Sequence, residues 1–191
     1  MKIGYAVEGS VDRAFLRGLR DRWCPGAELV EGHFRGSTKM SQRREIKKIC
    51  LELTYRGADY VVFLTDSDRD DWRAIRNREF GRVPDEHQHL VVYGVPEQNI
   101  EDWLRADPVA LAEAMELVEH DVRNTTDPKG LLHSILPRDE EERESKIALF
   151  VRHAPLDAWL KSSPSFERFY EDIRDIAQQS ATCDIPNERD A

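Results

Sequence analysis

Several features that would assign a protein to a class at once are missing from this sequence. No run of about 18 apolar residues occurs, so the sequence predicts no transmembrane helix. The first apolar run is broken by Glu8, so we expect no secretory signal. The three cysteines, Cys24, Cys50 and Cys183, are far apart and form no C-x-x-C pair, so we expect neither a disulfide framework nor a zinc site. These absences favour a soluble, cytoplasmic protein.

Short catalytic motifs are also missing. The sequence contains no G-x-x-x-x-G-K-[ST] loop and no G-x-S-x-G turn, so it predicts neither an ATPase of its own nor a nucleophilic triad. The six histidines show no metal-ligand spacing beyond the pair His87 and His89. With 28 basic and 37 acidic residues, the formal charge is −9, which argues against a histone-like positive coat. Net charge describes the whole surface, so a nucleic-acid enzyme with a local basic groove stays possible.

The first half of the chain alternates between strand and helix patterns. Apolar runs predict strands over Lys2–Val7, Ala27–Phe34, Asp59–Thr65 and His89–Val95, and helical spacing predicts helices over Asp12–Arg22, over Ser41–Tyr55 and around Trp72 and Ile75. The third of these strands is continuously apolar, as expected for a strand buried on both faces. This alternation predicts an α/β fold with a mostly parallel sheet flanked by helices.

The second half is predicted to be helical. Helical patterns cover Asn99–Arg105, Pro108–His120, Arg143–His153 and Ser165–Gln178, and turn-forming residues over Asn124–Gly130 predict a loop. The last dozen residues have little apolar content, so we expect a disordered tail. The predicted division is an α/β domain over 1–105, a helical extension over 106–178 that carries the Lys129 loop, and a tail over 179–191.

Acidic residues follow three of the predicted strands. Glu8 comes directly after the first strand, Asp66 and Asp68 follow the third, and Glu97 and Glu101 lie near the end of the fourth. Sites in open parallel sheets form at the carboxyl ends of the strands, so we expect these acids to converge at one edge. Asp66 and Asp68 project the same way if the strand persists through them. A hard cation such as Mg²⁺ or Mn²⁺ would relieve their repulsion.

Each of these features also has a structural explanation, which the sequence leaves open. Glu8 could stabilise the N-terminus of the helix that follows it, and the stretch Asp66–Asp68 could be a solvated turn. Glu101 could belong to the acidic first turn of a helix. Lys129, in a Pro-Lys-Gly loop, could reach a phosphate, although a surface lysine is the more common case.

The order of these segments resembles that of the Toprim domain of topoisomerases, DnaG-type primases and OLD-family nucleases. The residues that carry the resemblance are Val7-Glu8-Gly9 with Asp12, the pair Asp66 and Asp68, the segment Ile100-Glu101-Asp102-Trp103-Leu104, and Asp127-Pro128-Lys129, whose lysine is similar to that of OLD-type sites. The resemblance covers residues 1–105, with Lys129 beyond it, and is closest to small stand-alone Toprim proteins related to OLD nucleases.

This resemblance implies a Toprim-like, Rossmann-like fold and a metal-dependent nuclease that cleaves DNA with two Mg²⁺ or Mn²⁺ ions. The implied catalytic residues are Glu8, Asp66, Asp68 and Lys129, and the implied metal ligands are Glu8, Asp12, Asp66, Asp68 and Glu101. Lys129 is expected to stabilise the pentavalent phosphorane. By resemblance, the setting is defence against phage with a separate ABC- or OLD-type ATPase, because this chain has no ATPase motif. A homo- or hetero-oligomer is compatible with this setting, and no membrane partner is expected.

The sequence departs from the Toprim pattern just after the aspartate pair. Arg69 stands where the family has a glycine, and Asp70 and Asp71 crowd the same stretch. The departure puts in doubt which acids bind metal beyond Glu8, Asp66 and Asp68.

A basic stretch could hold nucleic acid. Between residues 35 and 48 there are six basic residues and one acid, and the predicted DNA-binding residues are Lys39, Arg43, Arg44, Lys47 and Lys48. Four arginines of the first helix, at positions 13, 17, 20 and 22, add a second basic surface. A solvated helix face is the usual meaning of such charges, and backbone contacts would be independent of base sequence and sensitive to salt.

Two rival functions remain open from the sequence. Asp66 could be the covalent nucleophile of a phosphohydrolase, although the motif at Glu8 has no role in that chemistry. Alternatively, the chain could be a non-catalytic Toprim subunit that docks an ATPase through Trp103, Trp159 and the C-terminal helices. For these tryptophans, ordinary core packing is the competing explanation.

Overall fold

A four-stranded parallel sheet forms the centre of the protein. The computed structural model describes residues 1–33, 39–68, 70–177 and 183–185. The strands are β1 (Lys2–Ala6), β2 (Glu28–Glu31), β3 (Tyr60–Leu64) and β4 (Val91–Gly94), in the order β2-β1-β3-β4 with all three pairings parallel. The predicted α/β class with a parallel sheet flanked by helices is confirmed.

The helices follow in chain order. They are α1 (Ser10–Trp23), α2 (Lys39–Tyr55), α3 (Trp72–Phe80), a 3₁₀ helix (Asp85–Leu90), α4 (Ile100–Leu104), α5 (Pro108–Met115), α6 (Glu119–Asn124), α7 (Pro128–Ile135), α8 (Glu140–His153), α9 (Leu156–Ser162) and α10 (Pro164–Ala177). Among the described residues, none of these helices has the length and apolar character needed to cross a membrane.

The sheet is covered on both faces because its side chains alternate between two cores. On β3, Tyr60, Val62 and Leu64 pack with α1 and the C-terminal helices, whereas Val61 and Phe63 pack with α2 and α3. All five residues of β3 are buried, as the continuous apolar run predicts. The strand therefore has no polar face, and its polar residues lie at its two ends.

The chain connections place helices on opposite faces of the sheet. The connection from β1 to β2 runs towards one edge and carries α1 on one face, whereas the connections through β3 to β4 run the other way and carry α2 and α3 on the other face. Crossovers of a single hand require this arrangement. The direction reverses between β1 and β3, and this reversal is the place where ligands bind in open parallel sheets.

The C-terminal helices pack on the face that carries α1. Helix α8 approaches α1 so closely that a Cβ at Gly18 would meet the Ala148 carbonyl oxygen at 2.6 Å. Arg13 donates to the buried Glu144 carboxylate at 3.1 Å, and Arg17 lies 3.7 Å from the same group. The charges of these two arginines therefore help to hold α1 to α8, and a nucleic-acid role for them stays a prediction.

The other two arginines of α1 are also used inside the fold. Arg20 lies 2.8 Å from Asp21 and donates to the Ala27 carbonyl, and Arg22 donates to the Ala154 carbonyl at 2.5 Å. These contacts connect the end of α1 to β2 and to the end of α8. The four arginines predicted as a second basic surface thus all make contacts within the fold.

Aromatic rings fill the space between α1, α4 and the last two helices. The Phe15 and Trp103 ring centroids are 5.4 Å apart, Trp103 and Phe169 are 5.0 Å apart, and Trp159 and Phe166 are 5.3 Å apart. All five rings have at most 1% of their surface exposed. Trp103 and Trp159 are therefore core residues, and the hypothesis that they form a docking surface is wrong.

Several predicted boundaries shift for identifiable reasons. The helix predicted over Pro108–His120 is interrupted at Glu116, whose left-handed backbone (φ 60°) ends α5 before α6 begins. The strand predicted from His89 begins only at Val91, because the 3₁₀ helix occupies the preceding residues. His87 and His89 lie in that helix, so the strand geometry that would pair them is missing.

A disulfide joins Cys24, at the end of α1, to Cys183, although the sequence predicted no such bond. The two Cα atoms are 4.4 Å apart across a sequence separation of 159 residues. The backbone supports the contact, because the Asp184 N–H donates to the Trp23 carbonyl at 2.8 Å. The prediction was wrong because no local spacing signals a bond between such distant cysteines. Residues 179–182 and 186–191 of the predicted tail lie outside the described residues.

Candidate functional site

The first and third strands carry acids to the point where the chain reverses direction. β1 and β3 are neighbours, with Ala6 opposite Phe63 near their carboxyl ends. Glu8 lies two residues beyond β1, and Asp66 lies two residues beyond β3. Both side chains are half-buried. The two acids therefore leave the sheet at adjacent positions on the same edge.

Asp12 combines a structural role with an unusual charge state. Its carboxylate accepts the Gly9 N–H at 2.8 Å, which satisfies a free donor at the start of α1. The residue is buried, with 7% of its surface exposed. Burial raises the pKa of Asp12 well above its ordinary value, and the neighbouring carboxylates of Asp66, Glu101 and Glu8 raise it further. The capping explanation thus applies to Asp12, and the electrostatics place four acids around one another.

The aspartate pair does not have the geometry that a continued strand would give it. β3 ends at Leu64, and Asp68 has a left-handed backbone (φ 53°). The buried Ser67 between the two acids donates to the Glu97 carbonyl at 2.5 Å. The expectation that both carboxylates project from one strand face is therefore wrong. Asp66 is half-buried and raises the pKa of Asp12, whereas Asp68 is exposed.

The turn after β3 is attached to the segment after β4. The Asp68 N–H donates to the Gln98 carbonyl at 3.1 Å. The Ser67 hydroxyl donates to the carbonyl of Glu97, the residue before Gln98. At the strand ends, the Thr65 N–H donates to the Gly94 carbonyl at 3.2 Å. These three bonds fix the position of the aspartate turn relative to α4, which carries Glu101.

Glu97 belongs to the scaffold. Its carboxylate accepts the Ser163 hydroxyl at 3.0 Å, the Ser165 N–H at 3.0 Å and the Ser165 hydroxyl at 2.6 Å. The Ser165 hydroxyl in turn accepts the Trp103 indole N–H at 2.7 Å. A carboxylate is stabilised at the start of a helix, and here it fastens the segment after β4 to the N-terminus of α10.

Glu101 is buried in the short helix α4. The helix buries Ile100, Trp103 and Leu104 against the aromatic core, and Glu101 itself is 2% exposed. Burial raises the pKa of Glu101, and the carboxylate of Asp66 raises it further, whereas the Lys129 ammonium lowers it. Asp66, which follows β3, raises the pKa of both Asp12 in α1 and Glu101 in α4.

Lys129 lies in a helix where the sequence predicted a loop. Asp127 caps α7 by accepting the Gly130 N–H at 2.9 Å, and Pro128 occupies the first helical position. Lys129 is exposed in the first turn, where a cation is disfavoured by the helix dipole. Helix α7 contacts α4, and the Lys129 ammonium lowers the pKa of Glu101 in that helix. Helix stability therefore does not account for this lysine, whereas the neighbouring acids do.

We use the name acid cluster for Glu8, Asp12, Asp66 and Glu101, with Lys129 beside them. Carboxylate oxygens are the ligands that Mg²⁺ and Mn²⁺ prefer, and a cation would offset the repulsion that raises the pKa of Asp12. Within the described part of the chain, no three His, Cys, Asp or Glu side chains are arranged so that they could hold one ion. The carboxylates of the acid cluster thus have the donor chemistry for a divalent metal, but their side chains would have to move to bind one ion together.

The basic stretch is described only in part. Helix α2 carries it, and Lys47 and Lys48 are exposed on that helix, with Lys48 3.6 Å from Glu45. The side chains of Lys39, Arg43 and Arg44 lie outside the described part, as do residues 34–38. The DNA-binding role of this stretch stays a prediction.

Sequence reasoning missed the residues that position the site. Ser67, Ser163 and Ser165 carry the hydrogen bonds that hold the aspartate turn and Glu97. Ser163 could have been recognised as a helix cap before Pro164, and its hydroxyl does accept the Phe166 N–H at 3.2 Å. The partners of Glu97 are more than 60 residues away, so no local pattern signals them.

Comparison with known proteins adds no relative: no family model matches the chain, and neither a curated protein nor a solved structure matches it.

Proposed function

We propose that this protein is a nuclease of the Toprim class that cleaves phosphodiester bonds of DNA with Mg²⁺ or Mn²⁺. The observation that carries the proposal is the acid cluster with Lys129 at the reversal point of the sheet. Two of its acids, Asp12 and Glu101, are buried with raised pKa values, and they are raised in part by their neighbours. Buried acids that repel one another at a sheet edge are a costly arrangement, which a cation-dependent function would explain.

The residues of the cluster would divide the work by position. Glu8 and Asp66 would hold one ion, which Asp68 would join only after a change in its turn, and Asp12 with Glu101 would complete the second site. Bound ions would neutralise the phosphate and activate a water molecule. The Lys129 ammonium lowers the pKa of Glu101, so we assign it to the negative charge that would develop on the phosphorus oxygens. Asp12 would exchange its bond with the Gly9 N–H for the metal.

The setting of the enzyme follows the same proposal. We propose DNA as substrate, a separate ABC- or OLD-type ATPase as partner, a role in defence against phage, and the cytoplasm as location. An oligomer, of this chain or with that ATPase, is compatible with these proposals. The disulfide gives the location a direct test, because such bonds are rare in a reducing cytosol. Mass analysis of protein alkylated inside cells should find Cys24 and Cys183 reduced if the location is correct.

The deciding experiment compares acids at the two ends of one strand. Asp66→Asn should abolish cleavage of supercoiled plasmid and of single-stranded circles in Mg²⁺ or Mn²⁺, as should Glu8→Gln. Asp59→Asn is the matched control, because Asp59 precedes β3 and accepts the Lys2 N–H at 2.7 Å, far from the cluster. Fluoride complexes that mimic phosphate, together with mass analysis, test whether Asp66 carries phosphate instead.

Metal binding is measured separately from cleavage. Saturating Mg²⁺ or Mn²⁺ should raise the melting temperature of wild type and of Asp59→Asn, with a stabilisation of about 2.7 kcal/mol at one hundred times the dissociation constant. The Asp66→Asn shift should be much smaller. If wild type shows neither a shift nor cleavage, the proposed function is wrong.

A further inference from the structure

A cleft opens along the segment that follows β4 and leads into α4, the helix that carries Glu101. It has a volume of about 670 Å³, and its walls include Glu97, Gln98, Asp102 and Ser163. The Gln98 carbonyl accepts the Asp68 N–H, and Asp102 directly follows Glu101. One wall of the cleft is therefore the same segment that positions the aspartate turn and carries the buried glutamate.

The two acids that line this cleft are already engaged within the fold. Glu97 accepts hydrogen bonds from Ser163 and Ser165, and Asp102 accepts the Asn99 N–H at 3.2 Å. Asp102 also lies 3.2 Å from Arg105. Their negative charge is thus offset by a helix N-terminus in one case and by a guanidinium in the other. An anion entering the cleft would not meet two free carboxylates.

Two arginines give the cleft its recognition chemistry. Arg105 donates to the Thr125 carbonyl at 2.8 Å, so its guanidinium is held in place between α4 and the segment before α7. Arg123, on α6, has 57% of its side chain exposed and pairs with Glu119 on the same helix. Guanidinium groups bind phosphate through two parallel N–H bonds, and these two lie in the wall of one cleft, where a phosphate would compete with Asp102 and Glu119 for them.

We propose that this cleft binds the sugar–phosphate backbone of a single strand of the substrate, next to the bond that is cut. The inference rests on the proposed function for the identity of the substrate and adds the surface that holds it. Phosphates on one side of the cut bond contact Arg105 and Arg123, while the cut phosphate lies at the acid cluster. The cleft is thus the substrate-binding surface of the same site.

The size and lining of the cleft define the substrate further. A volume of about 670 Å³ lies in the range of small-molecule sites, so it accommodates a short piece of single strand and is too small for a duplex. The described residues that line it include no aromatic side chain, so bases have no stacking platform. Binding should therefore depend on the backbone and show little base preference.

The test removes one positive charge and compares two substrates. Arg123→Gln should raise the KM for a labelled single-stranded oligodeoxythymidylate about five- to tenfold, and should weaken its binding by a similar factor. The slope of log affinity against log salt should fall by about 0.7, the value for one lost phosphate contact on a single strand. Turnover of bis(4-nitrophenyl) phosphate, a small diester without a strand, should be unchanged, as should the Mg²⁺-induced melting shift.

Matched variants keep the result interpretable. Arg56→Gln is the control, because Arg56 also pairs with a glutamate one helical turn earlier, Glu52, and does not line the cleft. It should match wild type in every measurement. Arg105→Gln should repeat the effect of Arg123→Gln, but Arg105 also holds Thr125, so the exposed Arg123 is the primary variant.

The outcomes separate the cleft from the chemistry. If wild type turns over both substrates while Arg123→Gln and Arg105→Gln keep its KM and salt slope, the cleft proposal is wrong and the proposed function stands. If wild type turns over neither substrate but Arg123→Gln still weakens oligonucleotide binding, the cleft is supported and the proposed nuclease chemistry is wrong. An equal loss on the small diester would also contradict the cleft proposal, because that substrate does not fill it.

Discussion

The two edges of the sheet differ in what holds them together. At the amino edge, where the strands begin, Cys24 is bonded to Cys183. The Cys183 sulfur lies 3.7 Å from the Met1 sulfur, and the Tyr60 hydroxyl lies 4.0 Å from the Cys24 sulfur. At the carboxyl edge, four acids face one another, and two of them are buried. One edge is closed by a covalent bond and apolar contacts, and the other contains charges that repel.

This difference shows how the fold tolerates its acid cluster. Burying carboxylates near one another lowers stability, so the structure that holds them must be stabilised elsewhere. The disulfide joins Cys24, at the far end of α1 from Asp12, to Cys183, so it can stabilise the fold without changing the charges of the acids. Changes at the amino edge should therefore affect stability, and changes at the carboxyl edge should affect activity.

The largest expected effect is at the amino edge. Cys183→Ser should lower the free energy of unfolding by about 5 kcal/mol, the loop-closure value for a separation of 159 residues. Denaturant unfolding with and without reductant measures it. Reductant should destabilise wild type and leave Cys183→Ser unchanged; an equal effect of reductant on both would contradict the assigned bond.

Lys129 gives the corresponding test at the carboxyl edge. Lys129→Gln should lower kcat about 100-fold on plasmid DNA, because one cation aimed at developing charge contributes that much. Its stability should change by less than about 0.5 kcal/mol, since the residue is exposed. Lys161→Gln is a suitable control, because Lys161 is also exposed but lies on α9. A stability loss of several kcal/mol in Lys129→Gln would make this lysine a structural residue.

Glu97 separates the scaffold of the carboxyl edge from its chemistry. Glu97→Ala should cost about 2 kcal/mol, because the hydroxyls of Ser163 and Ser165 lose their acceptor in a buried place. The Mg²⁺-induced melting shift should persist, measured at a temperature where the variant is folded. Loss of the shift with retained stability would place Glu97 among the metal ligands.

A smaller effect is a dependence of stability on pH. Asp12 and Glu101 have raised pKa values, so the unfolded chain releases their protons first. These two acids contribute to stability below their pKa in the unfolded chain, which is about 4. That contribution is lost as pH rises towards their raised pKa in the folded protein. Asp12→Asn should therefore lose less stability than wild type over this interval, in metal-free buffer. Parallel curves for the two proteins would contradict the raised pKa.

Measuring DNA affinity tests whether the positive charge on α2 belongs to the DNA-binding surface. Lys47→Glu combined with Lys48→Glu should weaken binding of duplex DNA and flatten its salt dependence, because both lysines are exposed. Filter binding at several salt concentrations measures the slope. Wild-type affinity and slope in the double variant would remove α2 from the DNA-binding surface.

The parts of the fold that could be predicted are those that depend on a local pattern of apolar and polar residues. The apolar run of β3 predicted a strand buried on both faces, and the parallel sheet places Glu8 and Asp66 at one edge. What failed depended on distant partners. Burial of Trp103 and Trp159, the bond to Cys183 and the anchoring of Glu97 all involve contacts across more than 50 residues.

The candidate site was harder to predict than the strands around it. The direction of Asp68 depends on where β3 ends, and a difference of one residue reverses a side chain. Lys129 was expected in a loop, yet the cap at Asp127 starts a helix there. The sequence indicates which residue types gather at this edge, whereas the direction of each side chain is decided by hydrogen bonds to Gln98 and Glu97.

The bond between Cys24 and Cys183 has a topological consequence. It turns the stretch between them, 159 residues apart, into a covalent ring that contains β2, β3, β4 and every helix after α1. A single proteolytic cut anywhere in that ring leaves one molecule, which falls into two pieces only after reduction. Cleavage sites can thus be introduced into the ring, for example near the cleft, and the nicked protein can be assayed while its halves stay tethered.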